Sequence, residues 1–217
     1  MANSKMGLLG IKLGMTQIYV DDNVVPCTIV QLGPCRVLQA KTTDGKDGYS
    51  ALQLGFGSQK EQRITKAEKG HFAKTSSGVS RWVSEIRVTA AEIEKYAPGT
   101  DILVTDVFAA GDVADVIGDR KGRGFQGVMK KYHFKGFIRS HGSHEYFRHG
   151  GSIGTRLTPG MTLKGKKMPG RRNGQVTVQN IDVVRVEAER GLIFLRGGAP
   201  GPNGGRVKVR LAVKGSK

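Results

Sequence analysis

The feature that most limits what this chain can fold into is the segment 120–175, in which positive charge and glycine are concentrated. The segment carries fourteen lysines and arginines against one acid, Glu145, together with twelve glycines and four of the five histidines. Its net charge of +13 accounts for most of the +17 of the whole chain. Large aliphatic side chains are sparse, so we expect the segment to lack its own core and to become ordered on a partner. Self-repulsion of this size favours a polyanion as that partner.

Short strand-like runs flank the basic segment on both sides. Alternating or apolar runs between Gly/Pro turns predict strands at 24–32, 35–40, 49–54, 81–88, 102–108, 113–117, 176–186, 192–196 and 206–213. A polar stretch over 60–73 and a capping box at Thr89 and Glu92 predict a small helical insertion. Many short strands with such turns are typical of a barrel or a sandwich.

The predicted fold is therefore mainly β. One β body is expected from residues 1–119 and 176–217, with a small α/β insertion at about 60–98. The long, glycine-rich basic extension, 120–175, leaves this body and returns to it. The length of 217 residues is enough for the body to bury a substantial core.

Several cellular settings are disfavoured by the sequence. The chain contains no run of about 18 apolar residues that could cross a membrane. Its first residues, 1–6, lead into 7–10 without the apolar core and cleavage site of a signal peptide. The two cysteines, Cys27 and Cys35, make no disulfide framework, so we expect reduced, half-buried core thiols in a cytosolic protein, while a pairing stays open. The isoelectric point near 10.1 fits RNA, DNA, an anionic membrane surface or an acidic protein as partner.

Within the basic segment, cations are interleaved with aromatic rings and glycines. Cations neutralise phosphates and release counterions, while rings and guanidinium planes stack on unpaired bases. Glycines let the backbone approach RNA closely. A solvated loop with no specific role is the alternative, which the charge density and the interleaved rings disfavour. The predicted nucleic-acid-binding residues, which the resemblance described below assigns to RNA, are Arg123, Phe125, Lys130, Lys131, Phe134, Lys135, Phe137, Arg139, His141, Arg148, His149, Arg156, Lys164, Lys166, Lys167, Arg171 and Arg172.

Three short patterns imitate other kinds of site. Residues 122–127 match the glycine spacing of a dinucleotide-binding loop, but no strand–helix–strand unit is predicted around them. Residues 160–166 resemble a phosphate-binding loop, but Lys167 stands where a serine or threonine would hold Mg²⁺. The three histidines of 141–149 have no fourth zinc ligand nearby in sequence. We therefore expect no metal, no cofactor, no small-molecule substrate and no catalytic residues.

Motifs spread over nearly the whole chain carry a resemblance to a known family. They lie at 7–18, 122–130, 140–143, 151–154, 158–160, 164–168, 176–180 and 200–205. In this combination and order they resemble the bacterial ribosomal protein L3 family of the large subunit, and the combination is far more specific than any one of them.

The resemblance implies a β-barrel of the translation-protein type with a long extension threaded into large-subunit ribosomal RNA. It implies binding early in subunit assembly, near the 3′ domain of that RNA. The extension would run from about Arg120 to Arg172, with its tip around 140–159 approaching the peptidyl transferase centre. Neighbouring large-subunit ribosomal proteins would pack on the barrel. The implied role is structural, on the ribosome in the cytoplasm, without a membrane partner.

One departure from the family pattern bears on modification. Some bacterial relatives carry a glutamine, methylated on its side-chain nitrogen, between the motifs at 151–154 and 158–160. Here the interval is Thr155, Arg156 and Leu157, so no such methylation is expected.

Two rival functions stay open on the residues alone. One is an RNA-modifying or nucleotide-dependent enzyme that uses the glycine-rich loops. The other is a free nucleic-acid-binding regulator. Composition does not separate RNA from DNA, and the choice of RNA depends on the resemblance.

Overall fold

The computed structural model describes residues 5–74 and 78–215. These divide into two compact units, the first formed by 1–119 with 175–217 in their described parts, and the second by Arg120–Gly174. Residues 1–4, on which the expectation about a leader peptide rests, lie outside the described residues. None of the described helices is long and apolar enough to cross a membrane.

The described chain is mainly β, as predicted. Its strands are β1 (Gly7–Val20), β2 (Asn23–Leu32), β3 (Cys35–Lys41), β4 (Ala51–Ser58), β5 (Ser80–Arg87), β6 (Asp101–Ile102), β7 (Val113–Asp119), β8 (Phe125–Gln126), β9 (Gly170–Arg171), β10 (Gln175–Glu187), β11 (Leu192–Arg196) and β12 (Arg206–Leu211). The α-helices are α1 (Lys66–Ala73), α2 (Ala90–Lys95) and α3 (Val128–Tyr132). Single 3-10 turns lie at Glu61–Arg63, Val104–Asp106 and His144–Arg148.

Six strands of the first unit pair in a closed antiparallel ring, in the order β1, β12, β7, β10, β11 and β2, and β2 pairs again with β1. Alternating side chains of these strands fill the interior. Leu8 of β1, Val30 of β2, Val116 of β7 and Val209 of β12 are fully buried. The ring therefore encloses a packed core.

Close pairing of β1 with β2 depends on a glycine. Gly10 pairs with Leu32 of β2, and a Cβ added to it would overlap the carbonyl oxygen of Gln31. At Gly14, four residues further on, the nearest atom to an added Cβ is the amide nitrogen of Asn203 at 4.0 Å. Of these two glycines, only Gly10 lies close to the backbone of β2.

The second sheet of the first unit has the order β5, β4, β3, β6, and all its pairings are antiparallel. α1 begins after a capping box, in which Glu68 donates its N–H to Thr65 Oγ1 at 3.3 Å and accepts the Thr65 N–H at 3.0 Å. α2 begins at Ala90, and the Glu92 carboxylate accepts the N–H of Thr89 at 2.8 Å, as that pattern predicts.

Two local predictions from the sequence differ from the structure. The strand expected over 102–108 is wrong: only Asp101–Ile102 pairs with β3, and a 3-10 turn follows at Val104–Asp106. The Asp106 carboxylate accepts the Leu103 N–H at 2.9 Å, which gives the backbone an alternative to a ladder. β1 was not predicted as a strand, because its glycines and a bulge between Lys12 and Gly14 hide the alternation.

Among the described residues, one largely buried ion pair joins two neighbouring strands of the ring. Asp115 of β7 lies opposite Arg210 of β12, and their charged groups are 3.3 Å apart. The Asp115 side chain is fully buried and also accepts the backbone N–H of Asn180 at 3.2 Å. The Arg210 side chain keeps 18% of its exposure. Loss of the carboxylate would leave a mostly buried guanidinium without its counter-charge.

The two cysteines are free and fully buried, rather than half-buried as expected. Cys35 Sγ lies 3.3 Å from the carbonyl oxygen of Leu9, to which it can donate. Burial raises the pKa of the Cys35 thiol to about 12. Burial also raises the pKa of Cys27. Both residues therefore act as small core side chains with little thiolate at neutral pH.

Candidate nucleic-acid interface

The second unit is held by a few backbone contacts rather than by a core. β8 pairs with β9, and the Arg120 N–H donates to the Gly174 carbonyl at 3.0 Å, so the two ends of the unit meet. Among its described residues only Gln126 and Val128 are buried. This agrees with the sparse aliphatic content of the segment and leaves most of its side chains available to a partner.

The cations of this unit face solvent. Lys131 is half-buried, and the other thirteen are exposed: Arg120, Lys121, Arg123, Lys130, Lys135, Arg139, Arg148, Arg156, Lys164, Lys166, Lys167, Arg171 and Arg172. Within the described part of the chain, none of the fourteen forms an ion pair.

The first unit arranges its charges differently. Arg36 lies 2.7 Å from Asp101, and Lys41 lies 2.9 Å from Glu85. Hydrogen bonding to Arg36 lowers the pKa of the Asp101 carboxyl. In the second unit Glu145 is the only acid, so the positive charge there stays unneutralised by the protein itself.

The side chains of four of the fourteen cations make contacts inside their unit. The ammonium groups of Lys131 and Lys167 lie 5.1 Å and 5.9 Å from the centre of the Tyr132 ring. The Arg172 guanidinium donates to the Lys131 carbonyl at 3.3 Å. The Arg139 guanidinium lies 6.0 Å from the centre of a phenylalanine ring. These contacts orient the cations without neutralising them.

The predicted stacking residues differ in exposure. Phe125 is 73% exposed and Phe137 is 51% exposed, and both His141 and His149 are also exposed. Phe134 is half-buried, with its ring packed edge-on against its neighbour Tyr132 at a centroid distance of 6.4 Å. Four of the five rings therefore offer free surface, while Phe134 packs against Tyr132.

A glycine fixes the loop around Phe137. Gly136 has a φ of +74°, and a Cβ there would overlap the carbonyl oxygen of Phe147. The N–H of Phe137 donates to that same carbonyl at 3.0 Å. One backbone hydrogen bond, from Phe137 to Phe147, thus closes the loop 136–147. Position 136 beside this bond fits only glycine, because any Cβ there would overlap the accepting carbonyl oxygen.

Exposed apolar side chains in this unit were missed by sequence reasoning. They are Ile138 (75% exposed), Ile153 (58%), Leu157 (85%), Met161 (68%) and Leu163 (65%). Tyr146 is also 60% exposed, with His149 beside it at a ring distance of 4.9 Å. The low aliphatic content of the segment could have predicted them, because the few apolar residues of a segment without a core cannot be buried.

The three short patterns that imitate a dinucleotide-binding loop, a phosphate-binding loop and a zinc site lack the secondary structure or the ligands that such sites need. Residues 122–127 lead into α3, which has only five residues and is preceded by the two-residue strand β8. Residues 160–167 form turns, with no strand before them and no helix after them in the described structure. Among the described residues, no group of three His, Cys, Asp or Glu side chains could hold a metal ion.

Comparisons with known proteins agree on one family. The family model described as Ribosomal protein L3 matches residues 35–192. The large ribosomal subunit protein uL3 of Streptomyces coelicolor is 47% identical over 212 residues, which are 97% of this chain and 97% of that protein. The uL3 protein of Myxococcus xanthus is 45% identical, covering 96% of this chain and 93% of its own length. That of Deinococcus radiodurans is 44% identical, covering 97% and 96%.

Proposed function

The chain belongs to the ribosomal protein L3 family, and from that premise we propose that its second unit, Arg120–Gly174, binds large-subunit ribosomal RNA. As a member of the family it is a structural protein of the large ribosomal subunit and not an enzyme. Its place is on the ribosome in the cytoplasm.

One observation carries the RNA proposal: fourteen cations in one unit, thirteen of them exposed, have no carboxylate partner among the described residues. Phosphates that approach these side chains replace a repulsive environment with an attractive one and release counterions to bulk solvent. Exposed rings such as Phe125 and Phe137 add stacking surface for unpaired bases. The unit thereby screens phosphates that would otherwise repel one another as RNA helices pack.

The finer elements of the proposal concern where the unit lies. In this proposal the ring of the first unit is a barrel of the translation-protein type that stays outside the RNA. The second unit is an extension that is anchored by this barrel and threaded into the RNA. Support comes from the near absence of a core, because such a segment gains order from its surroundings. The tip, around 140–159, approaches the peptidyl transferase centre, and the protein joins early in assembly, near the 3′ domain. Neighbouring ribosomal proteins pack on the first unit.

Location of the tip is tested by photo-crosslinking from Leu157, which is 85% exposed. The full chain, carrying a photoreactive amino acid at this position, is assembled into large subunits and irradiated. The expected product is an adduct with ribosomal RNA near the peptidyl transferase centre. The same probe at Lys46, an exposed residue of the first unit, serves as the control. An adduct with protein, or with RNA far from that centre, would contradict the placement of the tip.

Binding and its timing are tested on sucrose gradients. The protein should sediment with the large subunit and resist a high-salt wash. A threaded segment leaves the RNA only when all of its contacts are broken at the same time. In pulse-labelled cells it should be present in the earliest large-subunit particles. Recovery at the top of the gradient would contradict RNA binding, whereas presence only in late particles would contradict early assembly alone.

A further inference from the structure

The β1–β2 hairpin presents an exposed face to solvent. Residues that pair directly across two antiparallel strands lie on the same face. Gln17 pairs with Pro26 and Tyr19 with Val24, and Met15 lies two residues before Gln17. Met15 is 57% exposed, Tyr19 71% and Val24 51%, while Gln17 and Pro26 are also exposed. We call these five residues the hairpin face; four of them are apolar.

The hairpin face is unsuited to nucleic acid. Residues 13–35 contain no lysine, arginine or histidine, although the chain as a whole carries +17. Their only charges are the carboxylates of Asp21 and Asp22 at the tip. RNA brought to this surface would meet two negative charges and no cation of the hairpin itself to neutralise its phosphates.

The turn of the β1–β2 hairpin holds two acids, and the second of them stands at a position where glycine is preferred. Asp21 and Asp22 form the two-residue turn between β1 and β2, with φ of +47° and +61°. Such turns accept Asp as well as Asn at the first position but favour Gly at the second, because aspartate there is less stable than glycine. Neither carboxylate forms an ion pair among the described residues. Two unpaired negative charges are thus held at a fixed position beside an apolar face.

The outer edge of β1 is also open. Pairing of β1 with β12 ends at Ile11, and within the described structure no strand pairs with the outer edge from Leu13 to Val20. This stretch contains no charged residue and no proline, the residue types that usually protect a free edge. A free edge next to an exposed apolar face is typical of a surface at which another chain docks.

From these observations we infer that the hairpin face is a docking surface for a neighbouring protein of the large subunit. That protein is basic: it covers Met15, Tyr19 and Val24 with apolar side chains and places lysine or arginine opposite Asp21 and Asp22. The inference rests on the proposed function for the presence of such a neighbour. It assigns protein contact to this hairpin and leaves RNA contact to the second unit.

Photo-crosslinking from the hairpin face tests the inference in the intact particle. A photoreactive amino acid replaces Tyr19 in the full chain, which is then assembled into large subunits. Val20, on the opposite face of the same strand, is the matched control position. The expected product at Tyr19 is an adduct with one basic ribosomal protein, at least about fivefold above the yield at Val20. An adduct with RNA, an adduct with an acidic protein, or equal yields at the two positions would overturn the inference.

A second variant isolates the role of the two acids. Asp21→Asn combined with Asp22→Gly supplies the residues that the turn prefers, so the hairpin stays folded while its charge is removed. The crosslink from Tyr19 should then fall about fivefold in low salt and lose its dependence on salt. An unchanged yield would overturn the assigned charge complementarity. Sedimentation of the parent chain with large subunits tests the proposed function separately, so a chain that sediments there but crosslinks wrongly refutes only the docking surface.

Discussion

Removal of three cations from the second unit should weaken RNA binding in a way that depends on salt. Lys135, Arg156 and Lys164 are suited to this test, because all three are exposed and none makes a hydrogen bond, ion pair or ring contact within the described structure. Their replacement by glutamine therefore leaves the fold of the unit intact. Each cation that binds one phosphate contributes about 0.7 to 0.9 to the slope of log affinity against log salt.

The magnitude follows from that slope. Loss of three contacts should flatten it by about 2 to 3. At about 0.15 M salt each contact is worth roughly 3.8- to 5.5-fold in affinity, so the triple variant should bind about 50- to 170-fold more weakly. Near about 1 M salt the counterion term vanishes, and the affinities of variant and parent should converge. This convergence distinguishes lost phosphate contacts from a misfolded unit, which would bind poorly at every salt concentration.

The assay is filter binding of a large-subunit RNA fragment over a range of salt concentrations. The matched control replaces Lys46, Lys95 and Lys214 by glutamine, which are exposed residues of the first unit without ion pairs in its described part. It changes the net charge by the same amount, but its cations lie outside the proposed interface. Equal slopes for the triple variant and the parent, or equal flattening in the control, would refute the assignment of phosphate binding to the second unit.

Three further predictions concern stability and are checked by urea unfolding. Gly10→Ala should destabilise the chain by at least about 3 kcal/mol because its Cβ meets the β2 backbone, whereas Gly14→Ala should cost under about 0.5 kcal/mol. A similar cost at both positions would contradict the close approach. Asp115→Asn keeps a hydrogen-bond acceptor but strands the Arg210 charge, so we expect a loss of about 3 kcal/mol; a loss under about 1 kcal/mol would show that the pair is well solvated. Because burial raises the pKa of Cys35 to about 12, folding keeps a proton that the unfolded thiol loses above about pH 8.5. The stabilisation is complete below that pH and declines by up to about 1.4 kcal/mol per unit as the pH rises toward 12, a decline that Cys35→Ala should lack.

Much of the β body could be predicted because its signals are local. The alternation of apolar and polar residues identified the central parts of β2, β10 and β12. The prediction failed over 102–108, where the apolar residues suit a strand but no neighbouring strand is available beyond Ile102. β1 escaped notice for the opposite reason, because its pairing partners impose a strand on a sequence rich in glycine.

The sequence predicted which residue types make up the candidate site, but not how their side chains are exposed or packed. Counting charges places fourteen cations in one segment, but it does not show that Lys131 is half-buried beside Tyr132 or that Phe134 packs on the same ring. The low aliphatic content of the segment indicated that its apolar residues would stay exposed, but only the structure shows that Leu157, at 85%, is the most exposed of them.

By itself, the sequence determined the mainly β character, the family and the segregation of positive charge into residues 120–175, because these depend on local pattern and on residue counts. Only the tertiary structure decided which charges are buried or neutralised and which apolar residues stay uncovered. Lys12 illustrates this: it is buried, and its ammonium group donates to the carbonyl of Ala199 at 2.8 Å, a residue far away in sequence. The hairpin face of β1 and β2 likewise exists only through strand register, which long-range pairing sets and no local propensity encodes.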